Sequence, residues 1–89
     1  MKFAWDIEKA DINRRKHDVE FDEATTVFGD PLAGTFQDAD HSIGESRLIT
    51  VGKSSSGQLL VVSHTENAAE IRIISARPAT AHERKKYES

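Results

Sequence analysis

Eighty-nine residues with a net charge of −3, 37% of them hydrophobic and 30% charged, suffice for a single small domain over 1–89 with a thin core. The absence of cysteine excludes disulfide frameworks, thiol nucleophiles and cysteine-ligated zinc. The longest wholly apolar run, Leu59 to Val62, is far too short to cross a membrane, and Met1 to Asp6 lacks the apolar stretch of a signal peptide, so a cytoplasmic protein without membrane association is expected.

Phe3 and Trp5 alternate with Lys2 and Ala4, which predicts a short strand over 2–5. Asp6 is placed to cap a helix over 7–17, whose acids (Glu8, Asp11) come early and whose bases (Arg14, Arg15, Lys16) come late, as the helix dipole favours. Its apolar stripe is poor, so docking must supply much of its stability. A second helix is expected from Phe21, capped by Asp22, with Phe21, Ala24, Val27 and Phe28 on its apolar side; Gly29 and Asp30-Pro31 end it. Residues 32–36 read as a further strand, and 38–46 as a polar loop.

The second half is more regular. Residues 48–53, 59–65 and 70–76 are three β-rich runs joined by Ser54-Ser55-Ser56-Gly57, read as a flexible hairpin turn, and by a short turn at 66–69. Close spacing implies an antiparallel meander. Pro78 should end the last strand, and Thr80 with Glu83 forms a capping box for a basic helix to Glu88. The expected fold class is α+β, with N-terminal helices and a C-terminal helix packed on an antiparallel sheet.

Charge is unevenly distributed. Residues 1–40 hold five Lys/Arg against ten Asp/Glu, and residues 41–89 hold seven against five. An acidic front and a mildly basic back permit a basic site on the second half.

Asp38, Asp40, His41 and Glu45 are metal-ligand types in one loop, but the spacing fails an EF-hand: Gly44 falls one place late, and Ile49 stands where the closing glutamate belongs. No metal is expected. The serines lie in no nucleophile elbow. Trp5 reads as packing, and His17 as a favourable cation at a helix end.

The polar groups set into the strands are the remaining candidates. Arg47 and Lys53 share side-chain parity at the two ends of one run, His64 lies on the next, and Arg72 and Arg77 lie on the last. The last two have opposite parity, so they line one face only if a bulge intervenes. An arginine fork suits phosphate and histidine suits proton transfer near neutrality. Together they describe a phosphodiester-cleaving site without metal. On spacing alone an antiparallel sheet with a solvated charged face and a satisfied histidine is the plainer reading. Arg84 to Tyr87 could hold phosphate and stack a base, or simply complement the last helical turn.

The chain resembles the BrnT family. The resemblance rests on Phe3-Ala4-Trp5-Asp6, Asn13 with Lys16-His17, Phe21 to Ala24, Val27-Phe28, Asp30-Pro31, His41, Glu45, Arg47, Gly52, Leu60 to Val62 with His64, the run Ile71 to Ala79, and Glu83-Arg84 before Tyr87-Glu88. It implies a RelE-like domain and a metal-independent ribonuclease toxin of a type II toxin–antitoxin pair, which arrests translation. It also implies a BrnA-like antitoxin and operator DNA bound only through that antitoxin, and the thin core leads us to expect a dimer or heterotetramer with it. No cofactor is implied. Carried onto this sequence, the catalytic candidates are Arg77, Arg47, Lys53 and His64, and the RNA-binding candidates are Arg84 and Tyr87. The alternative is a non-catalytic protein-binding module that acts as a co-repressor with a DNA-binding partner.

Overall fold

A computed structural model describes residues 2–41 and 46–89. The chain runs β1 (Lys2–Ala4), α1 (Ile7–His17), α2 (Phe21–Thr26), a 3-10 turn (Val27–Gly29), β2 (Gly34–Gln37), a second 3-10 turn (Ala39–His41), β3 (Leu48–Lys53), β4 (Leu59–Glu66), β5 (Glu70–Pro78) and α3 (Ala81–Glu88). The five strands form one sheet in the order β1-β5-β4-β3-β2. The meander β3-β4-β5 is antiparallel as expected, and β2 adds antiparallel to β3. β1 corrects the expectation of a purely antiparallel sheet, because it pairs parallel with β5. Three residues of alternation predict a strand but carry no information about its direction.

The N-terminal helices cover one face of the sheet. Val19, Phe21, Ala24 and Val27 pack on Leu60, Val62, Ile71, Ile73 and Ala76, with Phe3, Trp5, Ala10 and Phe28 at the margin. Asp6 caps α1 by accepting from the amides of Glu8 and Lys9 at 2.8 and 3.3 Å. Asp18 ends α1 in the left-handed region at φ 57°. Glu20, not Asp22, occupies the N-cap position of α2; Asp22 lies inside the first turn, where its charge still favours the helix N-terminus.

The weakly amphipathic α1, which sets Ala10 against the core, is anchored chiefly by Asn13. Asn13 is buried, donates to the carbonyls of Val19 and Ala76 at 3.1 and 2.8 Å, and accepts from the Ala76 amide at 3.0 Å. β1 reaches only as far as Arg72 along β5, so beyond that point the outer edge of β5 lacks a strand partner. The carboxamide of Asn13 has the donor and acceptor of a peptide group and stands in for one.

The serine turn is also held. Glu23 accepts from the hydroxyls of Ser54 and Ser56, each at 2.6 Å, and Thr26 Oγ1 accepts from the Ser55 amide at 2.8 Å. These bonds replace the flexible turn expected from composition with a fixed one. β2 starts at Gly34, two residues later than expected, because Asp30 closes a turn through the amides of Leu32 and Ala33. A Cβ on Gly52 would lie 2.8 Å from Ala33 Cβ and 3.0 Å from Val27 Cγ1, so glycine is what lets β3 run this close to that turn. The approach places Asp30 Oδ2 within 2.8 Å of the Lys53 amide and 2.5 Å of the Tyr87 hydroxyl. One carboxylate thus ties the β2 turn, the end of β3 and α3.

Candidate functional site

The sheet has a second face, and its composition follows from register. Val61 pairs with Arg77 and Val51, Ser63 with Ser75 and Ile49, and Thr65 with Arg72. The β4–β5 register slips between Ser63 and His64, so that Ser63 meets Ser75 while His64 meets Ile73. Ile74 is the extra residue. This bulge reverses the parity of β5 and puts Arg72, Ser75 and Arg77 on one face, opposite α1 and α2. A sign of it stands in the sequence: Ile73-Ile74 breaks the alternation that Ile71-Arg72-Ile73 begins.

α3 crosses one end of this face. Glu83, Lys86 and Tyr87 line a cleft with Gly34, Phe36 and Val51. The remainder runs from Ile49 across the polar Ser63 and Ser75 to Thr65 and Arg72.

Arg77 sits where strand and helix meet. Its two terminal nitrogens donate to the two carboxylate oxygens of Glu83 at 2.8 and 2.9 Å, and one also reaches the Pro78 carbonyl at 3.3 Å. The side chain is 40% exposed, so the guanidinium is fixed in place yet open to solvent. Glu83 also accepts from the Thr80 amide at 2.8 Å and completes the capping box of α3. The Arg77 guanidinium holds the Glu83 carboxyl down at about 2. A carboxylate that acidic is a poor proton acceptor at neutral pH, and its service here is to orient Arg77. The sequence showed Glu83 only as a cap; no local spacing links it to Arg77 across the Pro78 turn.

The other expected residues are spread out. Lys53 is exposed at the rim, on the parity of Val51, beside Asp30 and the serine turn. Arg47 is half-buried just before β3, and its carbonyl accepts from the Asp38 amide at 2.9 Å. At a rise of about 3.3 Å per residue, Arg47 and Lys53 stand about 20 Å apart along one strand and do not converge on one atom.

His64 lies on the opposite face from Arg77. It is 0% exposed, its Nε2 is 2.7 Å from Thr50 Oγ1, and the Phe28 ring meets it edge-on at 4.9 Å. The Thr50 hydroxyl lies 2.7 Å from that of Thr35 in turn. Nδ1 has no hydrogen-bond partner among the described residues. Burial pushes the imidazole below its ordinary pKa, against a smaller opposing pull from Glu66. The structure places His64 with the core and not with the arginines.

On α3 the two RNA-binding candidates point different ways. Tyr87 faces inward, its hydroxyl donating to Asp30, which raises the phenol pKa. Arg84 lies outward, 3.8 Å from Glu88. Among the described residues no group of three or more His, Asp or Glu is placed to hold a metal. Of the loop residues weighed as ligands, Glu45 lies outside the described residues, as does the side chain of His41.

A five-stranded sheet backed by two helices on one face, with arginines and hydroxyls on the other and a third helix across its end, defines a small α+β protein with one face left open. The family model for the ribonuclease toxin BrnT of type II toxin–antitoxin systems matches residues 5–83, and the chain belongs to that family. Among solved structures, the 1.1 Å crystal structure of the Brucella abortus ribonuclease toxin BrnT matches with a TM-score of 0.68 and 25% identity, over 90% of this chain and 97% of that one. No curated protein sequence matches. The family makes an antitoxin its partner. No helix of the described residues is long and apolar enough to cross a membrane.

Proposed function

We propose that the chain is a metal-independent endoribonuclease that works on the open face of the sheet, with Arg77 at the reacting phosphate. The single observation that carries this is the bulge at Ile74, which places Arg77, Ser75 and Arg72 in a row beside Ser63 and Thr65. The reaction is attack of an RNA 2′-hydroxyl oxygen on the adjacent phosphorus. The 2′-hydroxyl gives its proton to water, the bond from phosphorus to the 5′-oxygen breaks, and that oxygen takes up a proton from water. The products carry a 2′,3′-cyclic phosphate, which opens to a 3′-phosphate, and a 5′-hydroxyl. DNA lacks the 2′-hydroxyl and is not cut.

Arg77 retains N–H groups beyond those given to Glu83, and these stabilise the charge that builds on the phosphorane oxygens. Arg47 and Lys53, too far apart to share one phosphate, hold the strand on either side of the cut, and Arg84 extends that track along α3. His64, sealed beneath the sheet, sets the position of β4 and leaves proton transfer to water on the open face. The partner that silences the toxin is a BrnA-like antitoxin, through which alone the pair reaches operator DNA. Assembly is as a dimer or heterotetramer in the cytoplasm, on a RelE-like scaffold.

Induced expression without the antitoxin tests this. Wild type is expected to arrest growth and deplete intact RNA, and Arg77→Ala, soluble and folded by circular dichroism, is expected to do neither. Harmless wild type that still binds its antitoxin would make the chain a co-repressing binding module instead.

A further inference from the structure

We propose that the cleft between α3 and β2–β3 is a nucleobase subsite, with Phe36 as its stacking surface. The proposal rests on the ribonuclease reading above and extends it to how the substrate is selected. Phe36 and Leu32 are 54% and 73% exposed although both are large and apolar. They flank an open cleft of about 360 Å³ that Glu83, Lys86, Tyr87 and Ser89 also line. Pairing of Gly34 with Val51 and Phe36 with Ile49 sets Gly34 and Phe36 on the same open face as Arg77. A Cβ on Gly34 would meet nothing within 4 Å, so the floor of the cleft is bare backbone with room above it.

The occupant follows from shape and chemistry. The walls are apolar and one end is polar, which matches a flat group with apolar faces and a hydrogen-bonding edge. The volume lies near the lower end of the roughly 300–1,000 Å³ typical of ligand sites, which suits a single base better than an extended peptide. Lys86 supplies a cation at the rim for the attached phosphate. Glu83 lines the cleft and grips Arg77 at once, so the base site and the arginine adjoin without a gap. Stacking on an exposed aromatic tolerates any base, and the polar end supplies the preference.

The test uses the four nucleoside 3′-monophosphates as ligands, followed by backbone-amide chemical shifts, alongside cleavage-site mapping on a long RNA. Gly34→Val should fit the strand and fill the cleft; Phe36→Ala removes the stacking surface and Phe36→Trp restores it. Wild type is expected to show shifts at Gly34, Val51 and Tyr87. Phe36→Ala should weaken binding roughly tenfold, Phe36→Trp should regain it, and Gly34→Val should abolish it at an unchanged melting temperature. Cleavage by the weakened variants should lose base preference. Shifts absent from the cleft, or binding and cleavage maps indifferent to both Phe36→Ala and Gly34→Val, overturn the subsite even if wild type cleaves RNA. Nucleotides bound in the cleft of a wild type that leaves RNA intact uphold the subsite and sink the ribonuclease reading. Loss of antitoxin binding in Gly34→Val with nucleotide binding unchanged assigns the cleft to the protein partner and overturns the proposal.

Discussion

At His64 a residue type suited to proton transfer serves packing instead. A charged imidazole there would need an acceptor at each nitrogen, and only Nε2 has a partner, Thr50, among the described residues. The folded protein therefore refuses a proton that the unfolded chain takes up near the ordinary value of 6.5. The unfolded state binds more protons, so stability is full above that pH and falls as the pH drops through and below it. The melting temperature of wild type should decline between pH 7 and 5, and His64→Gln should flatten that decline. His64→Ala should cost about 2–4 kcal/mol through the cavity it leaves, while cleavage per folded molecule stays as in wild type. A folded His64→Gln protein that has lost activity would return His64 to the chemistry. The sequence could not decide this, because alternation places His64 on a face without saying which face the helices cover.

Among the elements, β5 is decisive, and it was only half legible. Its start at Glu70, its stop at Pro78 and the capping box of α3 all follow from local chemistry that short sequences carry well, although the strand runs two residues past the expected 76. The bulge did not, since a register slip depends on what the neighbouring strand offers; alternation alone left Arg72 and Arg77 on one face only on condition of a bulge, and the slip at Ile74 supplies it. Asn13 shows the same limit. Nothing near it in sequence says that its amide closes the edge of β5 63 residues away. Asn13→Ala strands two carbonyls and an amide, each worth about 1–3 kcal/mol when buried without a partner. Its unfolding midpoint in urea should fall well below that of wild type, and hydrogen exchange at Ala76 should rise. A midpoint equal to wild type would show that α1 is held by other contacts. Because Ala76 precedes Arg77, a marginally folded Asn13→Ala should also lose activity out of proportion to its folded fraction.

For the whole molecule, the charge asymmetry of the sequence maps in part onto the two sides of the sheet. Seven acidic residues, from Asp6 to Glu23, lie in or directly beside α1 and α2 on the covered side; Arg72 and Arg77 of β5 and the basic α3 flank the open side. The division lets a chain with a net charge of −3 keep several cations on one side, and local field rather than net charge governs the contact such a side can make. The family was legible because its residues span the chain in order. The convergence of side chains was not: of the four expected catalytic residues, three spread over the open side and one lies beneath it.

The decisive measurement is cleavage of a short RNA by the purified protein in excess EDTA, with a matched strand carrying one 2′-deoxy substitution at the cut, and with Arg77→Ala beside wild type. Wild type should cut the RNA despite the chelator, leave a 2′,3′-cyclic or 3′-phosphate and spare the deoxy-substituted position. Arg77→Ala should be slower by about 10²–10³-fold, the loss typical of one donor to a developing oxyanion. Folded wild type that leaves RNA whole until a divalent metal is added, or a folded Arg77→Ala that cuts as fast as wild type, would contradict a metal-independent site built on Arg77.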